Sequence, residues 1–166
     1  MEYLTREDSF DWVYLVISPQ NPFKDPSKAL SGEQRYRDAI AAARRHPDLH
    51  VWVDNIELSM DPPHYTIRTL DALREREPQN EFTLVMGADN LANIRRWRDY
   101  ERILTEYGVA VYPRDGYDLQ SLRESLLEES GNRFRISIID APIVNISSTR
   151  IREALTAGED MSEWLM

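Results

Sequence analysis

The sequence predicts an α/β fold: a doubly wound parallel sheet with helices on both faces. Three observations predict it. Short apolar runs rich in β-branched residues recur along the chain. Stretches with helical spacing of apolar residues separate them. The runs and stretches alternate one for one, which is the βαβ pattern of a sheet covered on both sides.

Residues 12–17, Trp-Val-Tyr-Leu-Val-Ile, are β-branched and aromatic and stop at Ser18-Pro19. They read as a buried parallel strand. A proline-rich loop follows, from Pro19 to about Leu30. Residues 32–46 read as a helix that stops before Pro47, because the residue ahead of a proline is disfavoured in the α region. Residues 49–53 form a second strand, and 55–63 a loop with two adjacent prolines. Residues 65–77 are helical with Ile67, Leu70 and Leu73 inward, closed by Pro78. Residues 82–86 make a third strand ending at Gly87. Residues 89–107 are helical, with Trp97 the place for a break. Residues 108–112 are a fourth strand. Leu119, Leu122 and Leu126, at i, i+3 and i+7, mark a further helix. Residues 134–139 are a fifth strand and 147–157 the last helix.

Composition narrows the class. At 166 residues the chain suits one domain, residues 1–166. Its 42% hydrophobic and 10% aromatic content argues against disorder. No apolar run reaches the roughly 20 residues of a membrane span, and the charged start Met1–Asp8 carries no signal-peptide core. Cysteine is absent, which excludes disulfides and thiolate metal sites and fits a cytoplasmic protein. The net charge of −9 disfavours nucleic acid as a partner. A phosphate ligand remains open, provided a few basic groups converge on one cleft.

Ligands of such sheets sit beyond the carboxyl ends of the strands, so the loops there carry the candidates. Asn145-Ile146-Ser147-Ser148-Thr149-Arg150-Ile151-Arg152 opens a helix with hydroxyl residues and follows with arginines. The free N–H groups of that turn favour an anion, and an arginine adds a forked donor set suited to phosphate. An ordinary N-cap with solvated arginines is the plain alternative. In Met86-Gly87-Ala88-Asp89-Asn90, Gly87 permits close approach of a ligand and Asp89 suits ribose hydroxyls, or the pair is a simple βα turn. Trp97, set among Arg95, Arg96 and Arg98, offers a stacking face or serves as a half-buried core residue. Pro19 and Pro22 stiffen a loop that holds Lys24.

Taken in order, these segments resemble bacterial nicotinate-nucleotide adenylyltransferases. Pro19–Lys24 is similar to that family's P-x-x-P-x-K loop, and His64-Tyr65-Thr66-Ile67-Arg68-Thr69-Leu70 to its S-Y-T-x-x-T-L segment. Gly87, Asp89 and Trp97 match its G-x-D followed by Trp. Val111-Tyr112-Pro113-Arg114 matches a strand ending in arginine, and Ile146–Arg152 matches I-S-S-T-x-I-R, the most specific of the set. The resemblance implies a Rossmann-like sheet and adenylyl transfer from ATP to nicotinate mononucleotide, with Mg²⁺ accompanying the ATP. It implies that Gly87, Asp89, Ser147, Ser148, Thr149 and Arg152 bind ATP. Tyr65, Thr66, Trp97 and Arg114 would bind the mononucleotide, and Lys24 and Arg152 would supply catalytic charge.

The family also opens with a strand, a G-x-F-x-P loop and H-x-G-H, and none of these motifs occurs here. The resemblance makes 12–17 the family's second strand and implies a domain cut short at both ends. Asp61-Pro62-Pro63-His64 is a coincidental echo of the motif, and His46 and His50 read as surface residues. Three explanations fit: an ordinary enzyme given in part, a paralogue that kept binding and lost catalysis, or a strand supplied by another chain. An open strand edge invites pairing, so a homo-oligomer is admissible.

Overall fold

The computed structural model describes residue 4 and residues 10–19 and 31–143. The alternation holds throughout that range. Strand β1 (Val13–Val16) leads to helix α1 (Gly32–Arg44) and strand β2 (Val51–Asp54). A 3₁₀ turn (Ile56–Ser59) precedes α2 (Thr66–Arg76) and β3 (Leu84–Gly87). Helix α3 (Ala88–Ala92), a 3₁₀ turn (Ile94–Arg96) and α4 (Tyr100–Arg102) follow, the last running into a π-helical turn (Ile103–Tyr107). Then come β4 (Val109–Tyr112), α5 (Leu119–Ser130) and β5 (Ile136–Ile138).

All the strand pairs are parallel. β1 pairs with β2, with Val13 opposite Val51, and β3, β4 and β5 lie side by side in that order. Gly87 stands opposite Tyr112, and Val109 opposite Ile136. Among the described residues the sheet is therefore interrupted between β1 and β3. A cavity of about 760 Å³ lies there, lined by Val13, Tyr14 and Val16 on one side and Leu84 and Val85 on the other. The interruption runs along the strand that the resemblance makes the family's second.

The core sits with the three-stranded sheet. Val109, Ala110 and Val111 of β4 are all buried, as expected of a central strand covered on both faces. Met86, Leu91, Ile94, Ile103, Leu104, Leu126 and Ile136 pack with them. Helix α2 turns Ile67, Leu70 and Leu73 inward at the spacing read from sequence. β1, by contrast, is only half-buried along its length.

One predicted element is not continuous. Residues 89–107 form two short α-helices, a 3₁₀ turn and a π-helical turn, not one helix. Trp97 adopts an extended backbone (ψ 144°) and Asp99 a left-handed one (φ 51°), neither of which a helix accommodates. The break falls at Trp97, as expected. The 55–63 loop holds a 3₁₀ turn that its prolines concealed. The helix expected at 147–157 lies outside the described residues.

Candidate active site

The parallel register builds the site. Because Gly87 and Tyr112 are partners across β3 and β4, the residues two places beyond each emerge together. Asp89 Oδ1 lies 3.7 Å from Arg114 Nε, with both side chains about half exposed. Gly87 is the floor beneath them. A Cβ placed on Gly87 would stand 2.4 Å from Asp89 Oδ1 and 3.2 Å from Arg114 Nε. Its backbone (φ −85°, ψ 160°) suits any residue, so it is space and not conformation that calls for glycine here. Asp89 Oδ1 is buried and accepts no hydrogen bond among the described residues. A buried carboxylate oxygen in that state has no donor supplied by the described part of the fold.

Tyr65 and Thr66 lie at the start of α2, where Tyr65 is the N-cap and is exposed. Two acids behind them escaped the sequence reading. Glu57 is buried and accepts a 2.6 Å hydrogen bond from Thr69 Oγ1, tying the 3₁₀ turn to α2. Asp54, 2% exposed at the carboxyl end of β2, accepts from the Ile56 N–H at 2.9 Å and pairs with Arg76 at 2.5 Å. Burial works to raise the Asp54 pKa, but Arg76 and the Ile56 N–H outweigh it and hold the carboxyl below its ordinary value. The sequence signal was an acid closing an apolar run, Val51-Trp52-Val53-Asp54. Nearby, burial and the bond to Glu77 push the Tyr14 hydroxyl up to about 12.

Trp97 fits the plainer of the two descriptions, that of a half-buried core residue. It packs against the core, and it caps the turn through a 2.8 Å bond from its N–H to Ile94 O. Its arginine neighbours are drawn away, Arg95 to Glu129 at 2.5 Å and Arg98 to Asp99 at 3.4 Å. Among the described residues no ring contact joins Trp97 to Tyr65. The structure thus brings Gly87, Asp89 and Arg114 together, sets Tyr65 with Thr66, and leaves Trp97 on a separate turn. Lys24, Ser147, Ser148, Thr149, Arg150 and Arg152 lie outside the described residues. His46 and His50 are exposed, the latter stacked on Trp12 at 5.1 Å. His64 meets Met60 O at 3.0 Å, a local loop contact.

Among the described residues no three metal-ligating side chains of the His, Cys, Asp and Glu types converge. None of their helices is long and apolar enough to cross a membrane.

The model of the cytidylyltransferase-like family matches residues 2–154. Curated relatives are more specific. A probable nicotinate-nucleotide adenylyltransferase of Flavobacterium johnsoniae is 36% identical over 155 residues, which is 93% of this chain and 76% of that protein. One from Porphyromonas gingivalis is 37% identical over 163 residues, 98% of this chain and 78% of its own length. The chain belongs to the nicotinate-nucleotide adenylyltransferase family. It is thereby a nucleotidyltransferase by descent, as the order of its motifs led one to expect. Solved structures agree on the fold. The Plasmodium falciparum nicotinic acid mononucleotide adenylyltransferase complexed with NaAD superposes with a TM-score of 0.75 at 17% identity, covering 98% of this chain and 78% of that one. The same enzyme complexed with APC gives 0.73 at 16% identity, covering 98% and 77%. Adenylyltransferases of this family thus share the parallel, helix-covered sheet described above.

Proposed function

We propose that this chain transfers the adenylyl group of ATP to nicotinate mononucleotide, forming nicotinate adenine dinucleotide and pyrophosphate, a cytoplasmic step of NAD synthesis. The observation that carries the proposal is the cluster of Gly87, Asp89 and Arg114 at the carboxyl ends of β3 and β4. It lies where open α/β sheets bind their ligands, in a chain that shares its family's motifs along its length. An oxygen of the mononucleotide phosphate attacks the α-phosphorus of ATP. The bond from that phosphorus to the α–β bridging oxygen breaks, and pyrophosphate leaves with the electron pair.

Chemistry of this kind asks for alignment and charge neutralisation, not for a covalent nucleophile. In this reading Asp89 Oδ1 accepts from a ribose hydroxyl, and Gly87 leaves room for the nucleotide to approach. Arg114 faces the mononucleotide phosphate. Tyr65, Thr66 and Trp97 bound the pyridine ring. Ser147, Ser148, Thr149 and Arg152 receive the triphosphate, and Lys24 adds charge. Mg²⁺ is bound chiefly through substrate phosphates and keeps several waters in sites of this type. Here it would accompany the triphosphate and neutralise its charge.

Calorimetric titration of ATP and of nicotinate mononucleotide, alongside an assay of dinucleotide formation, tests the proposal. Binding of both with turnover supports it, and absence of mononucleotide binding overturns it. A second reading is a nucleotide-binding module without turnover. Binding without product would select it.

A further inference from the structure

We infer that Arg68 is a positioning residue for the acceptor side of the site, clasping the loop ahead of α2 so that Tyr65 and Thr66 are held in place. The inference rests on the function proposed above. Arg68 sits in the first turn of α2, where a cation opposes the helix dipole. That turn has no acidic residue, and Tyr65 provides no side-chain cap. Helix stability therefore gives no reason for an arginine at this position. Nor does an ion pair: among the described residues Arg68 has no carboxylate partner, whereas Arg74, Arg76 and Arg102 each have one.

Its partners are two backbone carbonyls. Nη1 donates to Asp61 O at 3.0 Å and to Pro63 O at 2.7 Å. The bonds order an exposed loop whose carbonyls water would otherwise satisfy. Pro62 and Pro63 carry no N–H, so this stretch has few donors of its own with which to satisfy its carbonyls. Three further contacts finish the clasp. His64 Nε2 meets Met60 O at 3.0 Å, and the Tyr65 N–H donates to Pro63 O at 3.1 Å. On the buried side, Thr69 holds Glu57. The loop is thus pinned from α2 at positions 68 and 69, one contact outside and one inside, and Tyr65 and Thr66 follow directly from it. A subsite held this way loses little freedom when a ligand arrives, which favours affinity. Among the described residues the Arg68 side chain bonds only to the loop that leads into Tyr65 and Thr66, so its effect falls on the acceptor and not on ATP.

The test compares the unaltered chain with Arg68→Met, which keeps an apolar stem and removes the donors, and with Arg68→Lys. Amide hydrogen exchange without ligand reads the loop, and calorimetry reads nicotinate mononucleotide and ATP separately. For Arg68→Met, exchange at His64 and Tyr65 is expected to quicken. Mononucleotide affinity should fall about five- to tenfold, the scale of one or two net hydrogen bonds. ATP affinity should hold within about twofold, and Arg68→Lys, which retains a charged donor, should recover part of the loss. Equal mononucleotide affinity in Arg68→Met and the unaltered chain would overturn the inference, as would equal weakening of both ligands. If the unaltered chain takes up no mononucleotide, the proposed function fails. The exchange rates then decide by themselves whether Arg68 holds the loop, and unchanged rates sink the clasp as well.

Discussion

Replacing Gly87 by alanine should separate binding from folding. The added Cβ would lie 2.4 Å from Asp89 Oδ1, where ordinary contact begins at 3.4 Å. The carboxylate must therefore retreat by about 1 Å, and a displacement of that size at a positioned group is worth on the order of 10²-fold in rate. Seen as a hydrogen bond, a charged acceptor moved out of line forfeits about 1.5–3 kcal/mol, or roughly ten- to a hundredfold in affinity. Stability should respond differently. The atom in the way is the far end of a side chain that can rotate, and the backbone at Gly87 is ordinary extended chain. Alanine also restricts the unfolded state, an effect worth about 0.4–1 kcal/mol in favour of folding. Gly87→Ala is thus expected to melt at or slightly above the unaltered temperature while ATP affinity falls at least tenfold. Thermal melting and calorimetric titration of ATP on the same preparation decide it. A variant that binds ATP normally would refute the placement of Asp89 at the nucleotide. One that melts far lower would show that Gly87 is needed for packing instead.

Two further outcomes follow from the core and the buried acid. Leu104 is fully buried at the centre of the three-stranded half, so Leu104→Ala should lower stability by about 2–5 kcal/mol; a loss under 1 kcal/mol in urea denaturation would mean that this half is not the core. Asp54 titrates below its ordinary value in the folded chain, so its stabilising effect is complete above the unfolded value of about 3.9 and is lost as pH falls through the folded one. In Arg76→Met, burial of Asp54 is no longer opposed by the guanidinium, and the carboxyl loses its main partner. Arg76 is 39% exposed, so the loss at pH 7 should be about 2 kcal/mol, below the range for a fully buried pair. The gap between variant and unaltered chain should then narrow in urea denaturation as pH falls below about 3.9. A gap that stays constant with pH would assign the effect to something other than Asp54.

What could be read from sequence, and what could not, divides along physical lines. Strands were legible because apolar β-branched runs end at Pro, Gly or Asp, and the inward face of α2 because Ile67, Leu70 and Leu73 keep a helical spacing. Over 89–107 the break at Trp97 was legible, but the change to 3₁₀ and π-helical turns on either side was not, and for a physical cause. Leu91, Ile94, Ile103, Leu104 and Tyr107 are all buried, so the apolar pattern runs on through a chain that changes direction at Trp97 and Asp99. Periodicity reports which side faces the core, not whether the backbone between is continuous. Arg76 meeting Asp54, 22 residues away, and Arg95 meeting Glu129, 34 away, were beyond reach for another reason. Neither partner carries a local signature, and only the tertiary fold brings them close.

The cluster at the strand ends falls between these cases, and shows why its members could be named singly but not joined. Gly87 and Asp89 announce themselves by a glycine closing an apolar run, and Arg114 by its place after another. Whether Asp89 and Arg114 meet depends on one further quantity, the register of β3 against β4. A shift of one residue would carry each strand's inward side chains to the opposite face, and β4 is held against such a shift because its neighbours bury Val109 and Val111. With Met86 opposite Val111 and Gly87 opposite Tyr112, equal offsets from paired residues place the acid and the base side by side. The core of the three-stranded half therefore sets the geometry of the site as well as the stability of the fold. A core substitution that disturbed the pairing of β3 with β4 would separate Asp89 from Arg114 without touching either residue.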